Sequence, residues 1–241
     1  MGFYEELSKY YDIVFPLGNS QLNFIKNRAD GKVKILDLAA GTGNYSIAMA
    51  KMGYNVTAVD LDKEMVNRIK EKNCEEGTNV NAMVMDMNSV DSIKEKFDLI
   101  ICIGNSLVHL DNKEDINNLI TKLYKLLNEN GVLIIQIVNY DRIIEKDIKE
   151  LPLIQRQDKG VTFVRNYERE NDKILFKTKI LVENNKEEKI YYNTVELYPL
   201  KSEDLKLMLK EAGFNKVEMY GDFNGGDYNI ESMATVVAAY K

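Results

Sequence analysis

ILDLAAGTG, Ile35 to Gly43, followed by VTAVDLD, Val56 to Asp62, is the stretch whose reading decides the fold of this chain. A short apolar run enters a glycine-containing turn, a helical stretch follows, and a second apolar run ends in acids. A nucleotide-type ligand needs those parts. The turn lets its backbone be closely approached, the helix start offers free N–H groups, and a carboxylate meets ribose hydroxyls. A dinucleotide fingerprint is G-x-G-x-x-G, with its third glycine inside the helix start. Here the series runs Ala39, Gly41, Gly43 and then Asn44, Tyr45, Ser46, so that third glycine is missing. The spacing to Asp60 suits either ligand class, whereas the turn argues against a dinucleotide.

Outward from this stretch the same rhythm continues. KILDLA, NVTAVD, NAMVMD, FDLIICI and VLIIQIV are short runs largely unbroken by polar residues, as expected of strands buried on both faces. Ile116, Leu119, Ile120, Leu123 and Leu127 recur at helical spacing, with Asp111 or Asn112 to cap the helix and Asn128 to Gly131 to end it. Alternating strand and helix implies an α/β fold around a parallel sheet with right-handed crossovers. After Val138 the pattern changes. VTFVRNYERE, KILFKTKILVE and KIYYNTVELYPL alternate apolar and polar residues and are separated by Asn171-Asp172 and Asn184-Asn185, predicting a three-stranded antiparallel meander. An α/β pattern resumes at Ser202, which caps a helix with Glu203 and Asp204 in its first turn and Gly213 at its end. KVEMYG and SMATVVAAY supply two last strands close enough to pair antiparallel.

The residues resemble a known family. ILDLAAGTG with VDLD is similar to motif I and its following acid in the class I S-adenosylmethionine-dependent methyltransferases, whose usual turn is (D/E)-x-G-x-G-x-G; this chain has Ala39 at the first glycine. VMDM (Val84 to Met87) matches the family's acid near the adenine, and FDLIICIGNSLVHL (Phe97 to Leu110) resembles its fourth-strand motif. The resemblance covers roughly Lys34 to Val138. It implies a doubly wound, Rossmann-like, mostly parallel seven-stranded sheet carrying the meander as an insertion. Residues 1–140 with 201–241 would form the cofactor-binding domain, residues 1–30 its lid helices, and residues 141–200 a substrate cap. GNSLVHL also resembles glycine N-methyltransferases, and a nearby histidine occurs in amino-sugar N,N-dimethyltransferases.

Composition narrows the partners. A chain of 241 residues, 45% of them hydrophobic, buries a full core and suits one large elaborated domain. Cys74 and Cys102 are too few for a disulfide framework and lack metal-ligand spacing. MGFYEELSKYYD has no apolar leader segment, Glu6 stands where a myristoylation motif wants Ser or Thr, and no window approaches the ~20 apolar residues of a membrane span. A cytoplasmic protein without membrane contact is expected. The formal net charge of −6, and lysines interleaved with acids as in EKDIKEL (Glu145 to Leu151), argue against nucleic acid. Acidic and basic residues balance across residues 141–200, so a small molecule is the expected substrate. The chain is expected to be a monomer or a homodimer.

The resemblance assigns roles residue by residue. The turn at Ala39, Gly41 and Gly43 passes beneath the methionine part of S-adenosyl-L-methionine, and Asp37 reaches its amino group. Asp60 accepts both ribose hydroxyls, Leu61 covers one adenine face, Asp86 accepts from the adenine amine, and Met87 packs beside the ring. Ile103 and Gly104 line the sulfonium region and Tyr11 closes over it. Each acid also fits the plainer part of a strand-end residue starting a loop, and Tyr11 that of a core aromatic on an amphipathic helix. Methyl transfer to nitrogen, ahead of oxygen, is the expected reaction, leaving S-adenosyl-L-homocysteine and needing no metal. An in-line displacement requires positioning, exclusion of water and an unprotonated nucleophile, so no catalytic triad is expected. His109, the one histidine of the chain, either accepts a proton or simply starts the next helix. Asn105 and Ser106 share its loop as candidate substrate contacts. Arg165 with Tyr191, Tyr192 and Tyr198 are candidates from the meander, and GDFNGGDYNIES is a hairpin loop or a wall of the pocket. Two other readings use the same fold: a cofactor-binding regulatory subunit without turnover, and a nicotinamide-dependent oxidoreductase, which lacks here its third glycine and a hydride-transfer set.

Overall fold

The computed structural model describes residues 3–29, 31, 34–184 and 187–241. Gly2, Asp30 and Asn185, on which parts of the sequence reading fall, lie outside the described residues, as does the side chain of Phe3. Two helices come first, α1 (Phe3–Val14) and α2 (Asn19–Ala29). The apolar runs then form β1 (Lys34–Leu38), β2 (Asn55–Asp60), β3 (Asn81–Val84), β4 (Phe97–Cys102) and β5 (Leu127–Val138). Between them lie α3 (Asn44–Lys51), α4 (Lys63–Glu76) and α5 (Lys113–Leu126). The chain continues through α6 (Tyr140–Glu145), β6 (Ile154–Arg156), β7 (Val161–Glu170), β8 (Lys173–Asn184) and β9 (Glu187–Leu197). It closes with α7 (Ser202–Ala212), β10 (Lys216–Tyr220) and β11 (Ala234–Tyr240).

The main sheet has seven strands in the order β10-β11-β5-β4-β1-β2-β3, parallel from β5 to β3, with β11 slotted in antiparallel between β5 and β10. The chain leaves β1 toward β2 and β3, then crosses back to β4 on the other side. That reversal opens a crevice beyond the carboxyl ends of β1 and β4, where open α/β sheets bind ligands. Apolar cores fill both faces of the sheet, with Leu36, Ile100, Leu133 and the α5 residues Ile116, Leu119, Ile120 and Leu123 on one side and Ile35, Leu99, Ile101 and Ile134 on the other. Burying each such side chain contributes roughly 1.5–3 kcal/mol. The four-stranded antiparallel sheet β6-β7-β8-β9 packs its inner face against α1 through Leu7, Val14, Phe163, Ile180 and Val182.

Local expectations hold where the signal is local. The Asp62 carboxylate caps α4 through Glu64 and Met65, Gly77 ends that helix in the left-handed region, and Asn112 rather than Asp111 caps α5. Four details differ. β3 is an edge strand with Val84 half exposed, so NAMVMD is not buried on both faces. α5 runs straight into β5, and the expected loop Asn128 to Gly131 is an excursion within that strand; the register jumps from Phe97–Leu127 to Leu99–Val132 around Asn130, whose φ is 62°. The meander gains a short fourth strand, β6. Ser202 does not cap α7: Lys201 holds the cap position, and the Ser202 N–H donates to Asp141 Oδ2 at 2.9 Å. Among the described residues no helix is long and apolar enough to cross a membrane.

Candidate functional site

A cavity of about 860 Å³ opens at the crevice between the two sheets. Its floor is the turn after β1, where Ala39 (φ 56°), Gly41 (φ 56°) and Gly43 (φ 75°) all occupy the left-handed region. The two glycines serve different sides of the turn. A Cβ on Gly41 would sit 3.1 Å from the Tyr11 ring, and the Gly41 N–H donates to Asp60 Oδ2 at 2.8 Å, tying the turn to the end of β2. Gly43 faces away from the cavity, where a Cβ would fall 2.7 Å from Ile69 Cγ1. It lets α3 start against α4 and does not line the pocket, unlike the placement under the methionine part expected from sequence. Ala39 lines the cavity and bears the strain of a positive φ, roughly 1–2 kcal/mol for a residue with a Cβ.

Three carboxylates ring this floor. Asp37 is buried, takes a 2.5 Å hydrogen bond from Ser46 Oγ, and has no ion-pair partner among the described residues; burial, with Asp60 adding repulsion, pushes its pKa up to about 7. Asp60 is raised too, by burial, although it accepts N–H donations from Gly41 on Oδ2 and from Asp62 at 2.9 Å on Oδ1. Asp86 is exposed and caps a short 3-10 helix through the Asn88 N–H at 2.8 Å, which leaves its second oxygen open to the cavity wall it shares with Leu61 and Met87. Leu61 is 70% exposed, an apolar side chain with no protein to cover it. The donor set fits the expected cofactor: buried negative charge near a cationic amino acid end, a carboxylate for a diol, and apolar surface for a ring.

Helix α1 lies over the floor. Tyr11 packs on the turn and on Phe15 (ring centroids 5.1 Å), and Phe15 meets Phe163 of β7 edge-on at 5.5 Å. Burial and the charges of Asp60, Asp37 and Asp12 keep its phenol protonated. Next to it Asp12 accepts a 2.5 Å hydrogen bond from Thr42 Oγ1 and pairs with Lys72 Nζ of α4 at 2.7 Å. The Ile13 carbonyl accepts from Arg156 Nε at 3.1 Å. One helix thereby bridges the turn, α4 and the antiparallel sheet.

At the other end, Gly104 (φ 89°) and Ile103 leave the tip of β4, and the Gly104 N–H donates to Gln136 Oε1 at 2.8 Å. Asn105 lines the cavity, but its amide is committed: Oδ1 accepts from the Val138 N–H at 2.9 Å and Nδ2 donates to Tyr140 Oη at 3.0 Å. It pins β4 to β5 rather than presenting a free amide. Among the described residues Ser106 Oγ makes a long 3.5 Å contact with the Ile103 carbonyl and no other side-chain hydrogen bond. His109 lines the cavity with part of its surface exposed, carries no side-chain hydrogen bond among the described residues, and is held by desolvation against the surrounding protein below the usual imidazole pKa, hence neutral at pH 7. Arg165 of β7 reaches the same space, donating to the Pro152 carbonyl at 2.7 Å while its buried Nε has no partner among the described residues.

Apart from Gly43 and three tyrosines of the meander, every site residue expected from the sequence borders this cavity. Tyr191, Tyr192 and Tyr198 do not: Tyr191 packs toward α1, Tyr192 is turned to solvent, and Tyr198 joins the core. The glycine-rich loop contributes a wall through Phe223. Sequence reasoning missed Phe15, Tyr45, Gln136, Tyr167, Thr178 and Asn193. Only Gln136 carried a signal, as the lone polar residue inside VLIIQIV.

Comparison with known proteins agrees with this geometry. The model of a methyltransferase domain matches residues 35–131. A glycine/sarcosine N-methyltransferase of Halorhodospira halochloris is 30% identical over 194 residues, covering 80% of this chain and 69% of that protein. In fold, the chain superposes on an S-adenosylmethionine-dependent methyltransferase from Clostridium acetobutylicum with a TM-score of 0.84 at 22% identity, covering 99% of each. A sugar N-methyltransferase from Streptoalloteichus gives 0.75 at 17% identity over 97% of this chain and 91% of that one. Fold and site together define a methyltransferase. The chain belongs to the class I S-adenosylmethionine-dependent methyltransferase family and is an enzyme of that family.

Proposed function

We propose that this enzyme methylates the amino nitrogen of a small amino acid, with residues 1–140 and 201–241 holding the cofactor and residues 141–200 capping the acceptor. The observation that carries the reading is Arg165: a guanidinium set in an apolar wall of the cavity, with a buried Nε that lacks a partner among the described residues. A half-buried guanidinium whose Nε has no partner among the described residues calls for an anion, and it fits a carboxylate best. The names of the curated relatives, glycine/sarcosine N-methyltransferases, point to the same class of acceptor. The charge balance of residues 141–200 supports a small acceptor over a nucleic acid.

When bound, S-adenosylmethionine supplies a methyl carbon made electrophilic by the adjoining sulfonium. Asp60 holds the ribose hydroxyls, Asp37 the amino group and Asp86 the adenine amine, while Leu61 and Met87 flank the ring. Leu7, Tyr11 and Phe15 keep water from the reacting atoms, and Arg165 fixes the acceptor by its carboxylate so that the amine points at the tip of β4. His109, neutral at pH 7, takes the proton that the amine must lose.

The test is methyl transfer by the purified chain to glycine, sarcosine, ethanolamine and an aminohexose, alongside calorimetric titration with S-adenosylmethionine. Turnover of the carboxylate-bearing amines is expected, together with cofactor affinity lost at least 100-fold in Asp60→Ala, the cost of two charge-assisted hydrogen bonds. Turnover of the aminohexose alone would replace the amino-acid reading. Cofactor binding without any turnover would favour a regulatory subunit.

A further inference from the structure

On the inner face of the antiparallel sheet one polar row lies between two apolar ones. Strand register sets Arg165 opposite Thr178, and Thr178 opposite Asn193. The rows on either side are Phe163, Ile180, Tyr191 and Tyr167, Phe176, Val195. Directly opposed residues of antiparallel strands share a face with Cβ atoms roughly 5 Å apart. Arg165, Thr178 and Asn193 all line the cavity.

Within that row Thr178 is the anomaly. It is 4% exposed, and its Oγ1 has no hydrogen-bond partner among the described residues. A buried hydroxyl without a partner costs free energy, and native proteins keep few of them. Valine has the same shape and would suit the apolar rows above and below. The hydroxyl earns its place only when something in the cavity pairs with it. Thr178 borders the cavity, and a step of χ1 carries Oγ1 to another staggered position with no movement of the backbone.

We propose that Thr178 is a specificity-determining residue, whose hydroxyl donates to the acceptor's carboxylate beside the Arg165 guanidinium. The assignment rests on the amino-acid reading above. It adds a neutral donor to the single cation, so that acceptors with a carboxylate are chosen over amines of similar size without one.

The experiment compares the full-length wild type with Thr178→Val and Thr178→Ser. KM and kcat are measured for glycine, sarcosine and ethanolamine, with cofactor Kd and melting temperature as companion readouts. For Thr178→Val a KM for the amino acids raised about ten-fold is expected, the typical loss of one hydrogen bond to a charged group, with kcat within about three-fold. Its preference for glycine over ethanolamine should fall by the same factor, cofactor Kd should not change, and the melting temperature should hold or rise as the orphaned hydroxyl disappears. Thr178→Ser should behave as the wild type. If the wild type methylates only amines lacking a carboxylate, the amino-acid reading fails and takes this assignment with it. If the wild type methylates glycine or sarcosine and Thr178→Val matches it, the Thr178 assignment alone is wrong. Equal losses in Ser and Val variants would likewise overturn it, since shape and not the hydroxyl would then matter.

Discussion

Asp37 makes cofactor affinity depend on pH in a calculable way. Its carboxyl is buried and repelled by Asp60, which raise its pKa from 3.8 to about 7 against the lowering effect of hydrogen bonds from the Ser46 hydroxyl and backbone. The raised value means that the cofactor-free fold favours the protonated form. This group's contribution to stability is therefore fully present below pH 4 and lost as pH rises through 7. A shift of that size corresponds to on the order of 4 kcal/mol at alkaline pH. A cationic amino group placed against Asp37 returns its pKa toward the ordinary carboxylate value. Binding then releases a proton in acid, and the apparent Kd scales as the ratio of the two titration polynomials. With pKa values of about 7 and about 4, the Kd at pH 5.5 is weaker than at pH 7.5 by roughly 20-fold, or about 1.8 kcal/mol. The assay is calorimetric titration with S-adenosylmethionine across pH 5.5–7.5 in two buffers of different protonation enthalpy. Nearly one proton released per site is expected at the acid end. Asp37→Asn should bind weakly at every pH, show no proton release, and be more stable than the wild type at pH 8 when cofactor is absent. A flat Kd with no buffer dependence would refute the assignment of Asp37 to the amino group.

Two further outcomes test the supporting structure. Gly43→Ala combines a positive φ with a Cβ 2.7 Å from Ile69 Cγ1, and after the gain from a stiffer unfolded chain should cost about 2–4 kcal/mol in urea unfolding. A loss under 1 kcal/mol would mean that the α3–α4 contact yields easily. Asp12→Ala removes the hydrogen bond from Thr42 and a half-exposed ion pair with Lys72, and should speed cofactor dissociation about ten-fold in stopped flow while leaving the fold intact. An unchanged rate would mean that α1 is not what retains the ligand.

The sequence alone determined the parts that depend on local periodicity. Runs such as FDLIICI, the helix face Ile116-Leu119-Ile120-Leu123 and the turn ending at Gly43 each fix their own backbone, because burial pattern and φ preference are properties of neighbouring residues. The acids at strand ends were legible for the same reason: parallel strands bring their carboxyl ends to one edge, so Asp37, Asp60 and Asp86 converge without knowledge of the packing. What lies across the sheet was not legible. Alternation in VTFVRNYERE says that Arg165 shares a face with Phe163 and Tyr167, yet only the strand register sets Thr178 and Asn193 beside it and aims that face at the cavity. The same holds for Asn105, whose amide is spent on Val138 and Tyr140, residues more than thirty positions away. The two glycines divide likewise: tertiary contact, with Tyr11 on one side and Ile69 on the other, decided which of them borders the cavity and which sits against the helix. Chemistry carried by a strand end can be read along the chain; chemistry shared between strands exists only once their register is set.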